Sequence, residues 1–209
     1  MNPVVIVGGG ISSAAVDWQT TADIWGLAAF GPRMKRCDRW FEIHPLSTIL
    51  PRDLAVCKAS QVPVYMGRHY KHIPQSVRYP IEQVLEIGDC IFTNSYCYEI
   101  ALAIMEERPE IFLYGLGELG QGSARERTFE RMGMAYWIGL AKGRGIPVHL
   151  PARDSLVTFP LYGLNYWAEV KYIRSQLRDL EYLLTHDLLD GFHCEKKVPR
   201  AAAAIAEDL

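Results

Sequence analysis

The sequence predicts an α/β fold built on a doubly wound, mostly parallel sheet. Three observations carry that expectation. Short apolar runs such as Val4-Val5-Ile6-Val7 lack the in–out alternation of a strand with one wet face, and so read as strands covered on both sides. These runs alternate with segments of helical spacing, the order that lays helices over both faces of a parallel sheet. Several of them open directly onto small or polar residues: Gly8-Gly9-Gly10-Ile11-Ser12-Ser13, Thr93-Asn94-Ser95 and Gly115-Leu116-Gly117-Glu118. Strand ends of that composition are where α/β sheets receive phosphates and nucleotides.

Taken in order, Pro3 to Val7 is the first strand, and the glycine triplet turns the chain after it. Asp23 to Leu27 and Arg39 to His44 are the next two, the latter bounded by Pro45. Trp25, Trp40 and Phe41 lie inside these patterns and read as core. Residues 46 to 63 show no regular period, and Val64 to Met66 is a short strand. Pro80 suits the first turn of a helix over Ile81 to Glu86. Cys90 to Thr93 reads as a strand, with Asn94 or Ser95 capping a helix that carries Tyr98, Leu102 and Met105 on one face. Glu110 to Tyr114 is a strand closed by Gly115, Glu126 to Lys142 a helix ended by Gly143 and Gly145, and Pro147 to Leu150 the last strand. A charged amphipathic helix follows from Trp167 to Leu184, with a stripe of Val170, Ile173, Leu177, Leu180 and Leu184. Residues 1–163 therefore read as the sheet domain and 164–209 as a C-terminal helical extension.

With 209 residues and 49% hydrophobic content the chain can bury a substantial core. A net charge of −2 and a pI near 6.3 argue against general affinity for nucleic acid or an anionic membrane. The basic run Arg33-Met34-Lys35-Arg36 is short, is offset by Asp38 and Glu42, and reads as a solvated loop. Five cysteines (Cys37, Cys57, Cys90, Cys97 and Cys194) without a CxxC pair fit neither a disulfide framework nor a zinc site, and imply reduced thiols in a cytoplasmic protein. No run has the length of a secretory h-region or a membrane span.

The chemistry is sought on the rim formed by the carboxyl ends of the strands. There Gly8, Gly9 and Gly10 allow backbone N–H groups to approach an anion, and Ser12 and Ser13 add hydroxyls or caps. The spacing is neither G-x-G-x-x-G nor a Walker loop, and no carboxylate ends the second strand, which excludes the dinucleotide oxidoreductase pattern. Thr93, Asn94 and Ser95 suit both capping and ligand contact, and Leu27 and Gly115 fall on the same rim. His44 and His149 end strands, where an imidazole could serve as a general base or meet a phosphate. Glu118, Glu126 or Glu130 could supply a catalytic carboxylate or hold magnesium or manganese beside a diphosphate. Helical ion pairing with Arg127 and Arg131 accounts for Glu126 and Glu130 equally well. His69 and His72 have no acidic or thiol partner at ligand spacing.

Together these segments resemble a family of small phage-encoded, Rossmann-like proteins of unassigned role. Through them the chain resembles, more remotely, the bacterial sialyltransferases of the Campylobacter type and the MptE-like proteins. The resemblance runs through Val4 to Ser12, Ile24 to Leu27, Asp38 to His44, Phe92 to Ile104, Glu110 to Gly115 and Gly139 to Ile146, about three quarters of the chain in order. It implies a nucleotide or nucleotide-sugar site in which Gly8 to Ser13 and Thr93 to Ser95 correspond to donor-binding loops. It also implies a host-cytoplasmic or virion-associated location. The departures are specific. Relatives carry Pro-Ser where this chain has Ile11-Ser12, Asn where it has Ala28, and Asp where it has Gly117. The histidine that acts as base in the sialyltransferases has no counterpart between Gln121 and Ala135.

Two readings follow. One is a transferase that uses a nucleotide-activated donor, with acid/base roles for His44, Glu118 or His149. The other is a non-catalytic phage accessory or virion protein that keeps the fold. In that case the stripe of the C-terminal helix would join copies of the chain or meet a phage or host protein.

Overall fold

A computed structural model of the chain describes residues 1–116 and 124–151. Val4–Val7 forms β1, and all four of its side chains are buried, as a continuous apolar run requires. Strands are then laid outward in sequence. β2 (Asp23–Leu27) pairs with β1, and β3 (Arg39–Phe41) pairs with β2. After helix α1 (Pro51–Ala59), β4 (Val64–Met66) adds to β3 and β5 (Ser76–Arg78) to β4. Helices α2 (Ile81–Leu85) and α3 (Ser95–Met105) return the chain to the other side of β1, where β6 (Ile111–Tyr114) pairs. Helix α4 (Ala124–Gly143) leads to β7 (Val148–His149) on the outside of β6. Every pairing is parallel, and the order across the sheet is β5-β4-β3-β2-β1-β6-β7. This is a Rossmann-like α/β fold whose direction of growth reverses between β1 and β6.

The register divides side chains between two faces. Val4, Ile6, Trp25, Phe41, Ile111 and Leu113 join the large cluster under α3 and α4, which Trp137 and Met134 complete. Val5, Val7 and Ile24 point to the opposite face, with Trp18, Met34 and Phe112. Further along the sheet Val64 and Met66 pack with Ala28 and with Cys57 of α1. At the amino ends of the strands Arg108 is 3% exposed. It donates to Asp23 Oδ2 at 2.6 Å, to Glu106 Oε2 at 2.8 Å and to the Asn2 carbonyl at 3.1 Å. Arg39 reaches Glu106 from the other side at 2.5 Å. Both guanidinium groups lie over the Trp25 ring, which locks β2 and β3 to the end of α3.

Four local readings are corrected. Cys90 to Thr93 is not a sheet strand. Its polar groups are met by α4, with Trp137 Nε1 donating to the Ile91 carbonyl at 2.9 Å and the Thr93 hydroxyl to the Glu130 carbonyl at 3.1 Å. Phe92 wedges between Tyr98 and Trp137, so its apolar character reflects burial under helices rather than in the ladder. The segment without a regular period holds α1, which starts on Pro51 but lacks a strong apolar stripe. The edge strand β5 carries no strand pattern because it is polar; the Ser76 hydroxyl bonds the Ile73 carbonyl and the Tyr70 amide instead of packing apolar surface. The strand expected to reach His44 ends at Phe41. The C-terminal extension 164–209 and its stripe lie outside the described residues.

Where β1 and β6 end, their backbones come close together. Gly8 N–H donates to the Tyr114 carbonyl at 2.7 Å and Gly10 N–H to the Gly115 carbonyl at 2.9 Å. A Cβ on Gly8 would stand 2.4 Å from the Gly115 oxygen, and Gly115 itself has φ +72°. Gly115→Ala is therefore expected to cost about 2 kcal/mol from the left-handed backbone alone, with further loss from the contact. Urea unfolding of the variant reads this directly, and an unchanged midpoint would contradict the close approach.

Glu99, in the middle of α3, is fully buried, and neither carboxylate oxygen has a hydrogen-bond partner among the described residues. Burial pushes its carboxyl well above the usual carboxylate range, so the folded chain keeps the proton. Below the ordinary glutamate value of 4.5 both folded and unfolded states are protonated. Above it the unfolded chain releases its proton while the folded chain does not, so stability falls by up to about 1.4 kcal/mol per pH unit until the raised folded value is passed. Glu99→Gln should match the wild type in stability near pH 4 and exceed it at neutral pH. Parallel pH-stability curves for the two proteins would overturn this.

Candidate functional site

Among the described residues, cavities open at the carboxyl rim on each face of the sheet. The first, of about 280 Å³, lies beyond β2 and β3 and is walled by Leu27, Phe41, Glu42, His44, Asp53 and Ser95. Its polar centre is a pair: Glu42 Oε1 stands 2.6 Å from His44 Nδ1. The Glu42 side chain is 6% exposed and that of His44 65%. Because a carboxylate only accepts, the contact places the proton on Nδ1 and leaves the Nε2 lone pair outermost. Asp53, from the first turn of α1, is also buried and accepts from Arg52 Nε at 3.1 Å. Burial, reinforced by the charges of Glu42 and Asp53, pushes the nearby Cys57 thiol up to about 12, so it has little nucleophilic character. The cavity is acidic, and among the described residues no lysine or arginine lines it.

The second cavity, of about 330 Å³, opens on the other face beside β1. Gly8 and Ser13 line it together with Trp18, Phe30, Arg33 and Lys35. A 3-10 helix, Ala28–Arg33, separates the two cavities, since Ala29 faces the first and Phe30 and Arg33 the second. Phe30 lies so close over Gly9 that a Cβ there would meet its ring at 2.4 Å.

The residues expected from sequence are thus distributed unevenly. Leu27, His44 and Ser95 converge on the acidic cavity, and Gly8 and Ser13 on the basic one. Gly10, Ser12 and Gly115 serve the turn itself, with Ser12 Oγ accepting from Gly115 N–H at 2.7 Å and the Ser13 hydroxyl donating to the Gly10 carbonyl. The glycine loop runs into a five-residue 3-10 helix, Ile11–Ala15, rather than an α-helix. Tyr96, buried beneath the loop, has its hydroxyl pushed up chiefly by burial, while the Gly9 amide opposes the shift. Thr93 is bonded to α4, and Asn94 caps α3 by accepting from Cys97 N–H at 3.1 Å. His149 lies in register with Phe112, two residues short of the end of β6. It stacks on that ring and contacts Glu110 Oε2 at 3.1 Å, away from both cavities. Glu118 lies outside the described residues.

Sequence reasoning missed Glu42, Asp53, Trp18 and the cations of the second cavity. Glu42 was legible in principle, because it stands two residues before His44 and so on the same side of an extended chain. Asp53 was hidden with its helix. Among the described residues no cluster of three or more histidine, cysteine or acidic side chains is placed to hold a metal ion, and no helix is long and apolar enough to cross a membrane.

No protein-family model matches the chain, and no curated protein matches it. Among solved structures it is similar to the sialyltransferase CstII from Campylobacter jejuni, determined in complex with a substrate analogue, cytidine-5'-monophosphate. The match has 16% sequence identity and a TM-score of 0.47, and covers 75% of this chain and 82% of that one.

Proposed function

We propose that the protein binds a nucleoside phosphate or nucleotide sugar at its carboxyl rim and acts as a glycosyltransferase-like enzyme, with His44 as the proton acceptor. The observation that carries this reading is the Glu42–His44 pair at the mouth of the acidic cavity, 2.6 Å apart with the carboxylate buried and the imidazole outward. A buried carboxylate that fixes the imidazole tautomer, with the other nitrogen facing a cavity, is the arrangement of an oriented general base. In sugar transfer, Nε2 would take the proton of an acceptor hydroxyl as that oxygen bonds to the anomeric carbon. The bond from that carbon to the donor phosphate breaks at the same time, and its electron pair leaves with the nucleotide. Ser95, at the start of α3, is placed to hydrogen-bond a hydroxyl in the same cavity. The acidic lining suits a polyhydroxylated group better than a phosphate, because Glu42 and Asp53 would repel an anion.

The first test is a thermal-shift panel of cytidine and uridine nucleotides and their sugar conjugates. A ligand that binds the native state raises the midpoint by mass action. A positive ligand then defines the donor for an activity assay. His44→Ala should keep donor binding and lose about 10²–10⁴-fold in transfer rate, and Glu42→Gln should lose part of that. Full activity in His44→Ala would remove the residue from the mechanism. A flat panel on folded protein would favour the non-catalytic reading, in which the fold serves as an interaction scaffold.

A further inference from the structure

We propose that the second cavity, on the face opposite His44, is a phosphate-binding site that takes the charged end of a nucleoside phosphate through Arg33 and Lys35. The base lies against Trp18 and Phe30. The proposal rests in part on the nucleotide reading above, and four observations carry it.

The cations are uncommitted. Arg36 and Arg39, which follow in the same stretch of chain, are both paired, Arg36 with Asp38 and Arg39 with Glu106. Among the described residues Arg33 and Lys35 form no ion pair, are exposed, and face a cavity that no carboxylate lines. An isolated surface cation needs no explanation, but two converging on one concave wall make a local positive potential.

Among the described residues the ionisable lining of the first cavity is Glu42, Asp53 and His44, which does not supply that charge. Gly8 and Gly10 already donate their amides to the Tyr114 and Gly115 carbonyls, and the Ser13 hydroxyl proton is directed at the Gly10 carbonyl. At Gly8, Gly10 and Ser13 the backbone N–H groups, a usual source of anion affinity at a strand end, are already engaged. Among the described residues, Arg33 and Lys35 are the cationic side chains that line this cavity. The shape fits as well: about 330 Å³ is the size of a small-ligand site, and the half-buried Trp18 lines it.

The test compares wild type, the double variant Arg33→Glu/Lys35→Glu, and Ser95→Ala in the other cavity, by calorimetric titration with CMP, cytidine and inorganic pyrophosphate. Arg33 and Lys35 are exposed, so the double variant should fold, and circular dichroism checks this. The expected result is that CMP and pyrophosphate bind wild type and bind the charge-reversed variant at least about tenfold more weakly. Raising the salt should weaken both, Ser95→Ala should leave both unchanged, and cytidine should bind far less well than CMP. CMP binding that survives charge reversal and falls in Ser95→Ala would overturn this site while leaving the nucleotide reading intact. Pyrophosphate binding lost on charge reversal, with no binding of CMP, would support the anion site and count against the nucleotide reading. No binding of either anion to wild type would overturn the proposal.

Discussion

The contact between Gly8 and Gly115 governs the arrangement of the whole carboxyl rim. β1 and β6 are neighbours that the chain reaches from opposite directions, and their following loops leave the sheet at the same row. Without side chains at these two positions the loops can close on each other, and they do so through paired backbone hydrogen bonds and the Ser12 hydroxyl. The crevice that such a reversal usually opens to ligands is here stitched shut by its own backbone. Phe30 then seats on Gly9, and the rim is divided into two cavities on opposite faces.

That division separates charge as well as space. The connection after β3 brings Glu42, His44 and Asp53 together on one side, while the connection after β2 carries Arg33 and Lys35 to the other. An activated sugar donor has two chemically unlike ends, a polyanion and a polyol whose reacting carbon must meet a deprotonated acceptor. In the function proposed above, the acidic cavity beside the oriented imidazole would take the polyol and the basic cavity the polyanion. The opposite end of the sheet is held by charge. There Arg108, Arg39, Glu106 and Asp23 form an ion network over Trp25 that holds strand starts to a helix end.

Much of this was legible in the residues because it depends on local pattern. β1, β2 and β4 follow from their apolar runs with little or no shift in boundaries, and the cap at Asn94 follows from its side-chain chemistry. The rule that ligands meet the carboxyl ends of strands led to Leu27, His44 and Ser95, three residues far apart in the chain that the fold brings to one cavity. What misled was burial without a ladder. Ile91 and Phe92 have the composition of a strand, but they are covered by Tyr98 and Trp137, and a short apolar run does not say which element covers it.

The sequence by itself determined the class of fold and the place on it where ligands should be sought. Alternating strand and helix patterns, and glycine at strand ends, are short-range signals set by backbone sterics and apolar periodicity. The tertiary structure alone decided what each rim residue faces. Whether a glycine amide is free or already bonded, and whether Arg33 is paired, are not properties of local sequence. Nor is the burial of Glu42 beside His44. These depend on which distant segment arrives opposite, and that is settled only when β6 returns to lie against β1 and Phe30 closes over Gly9.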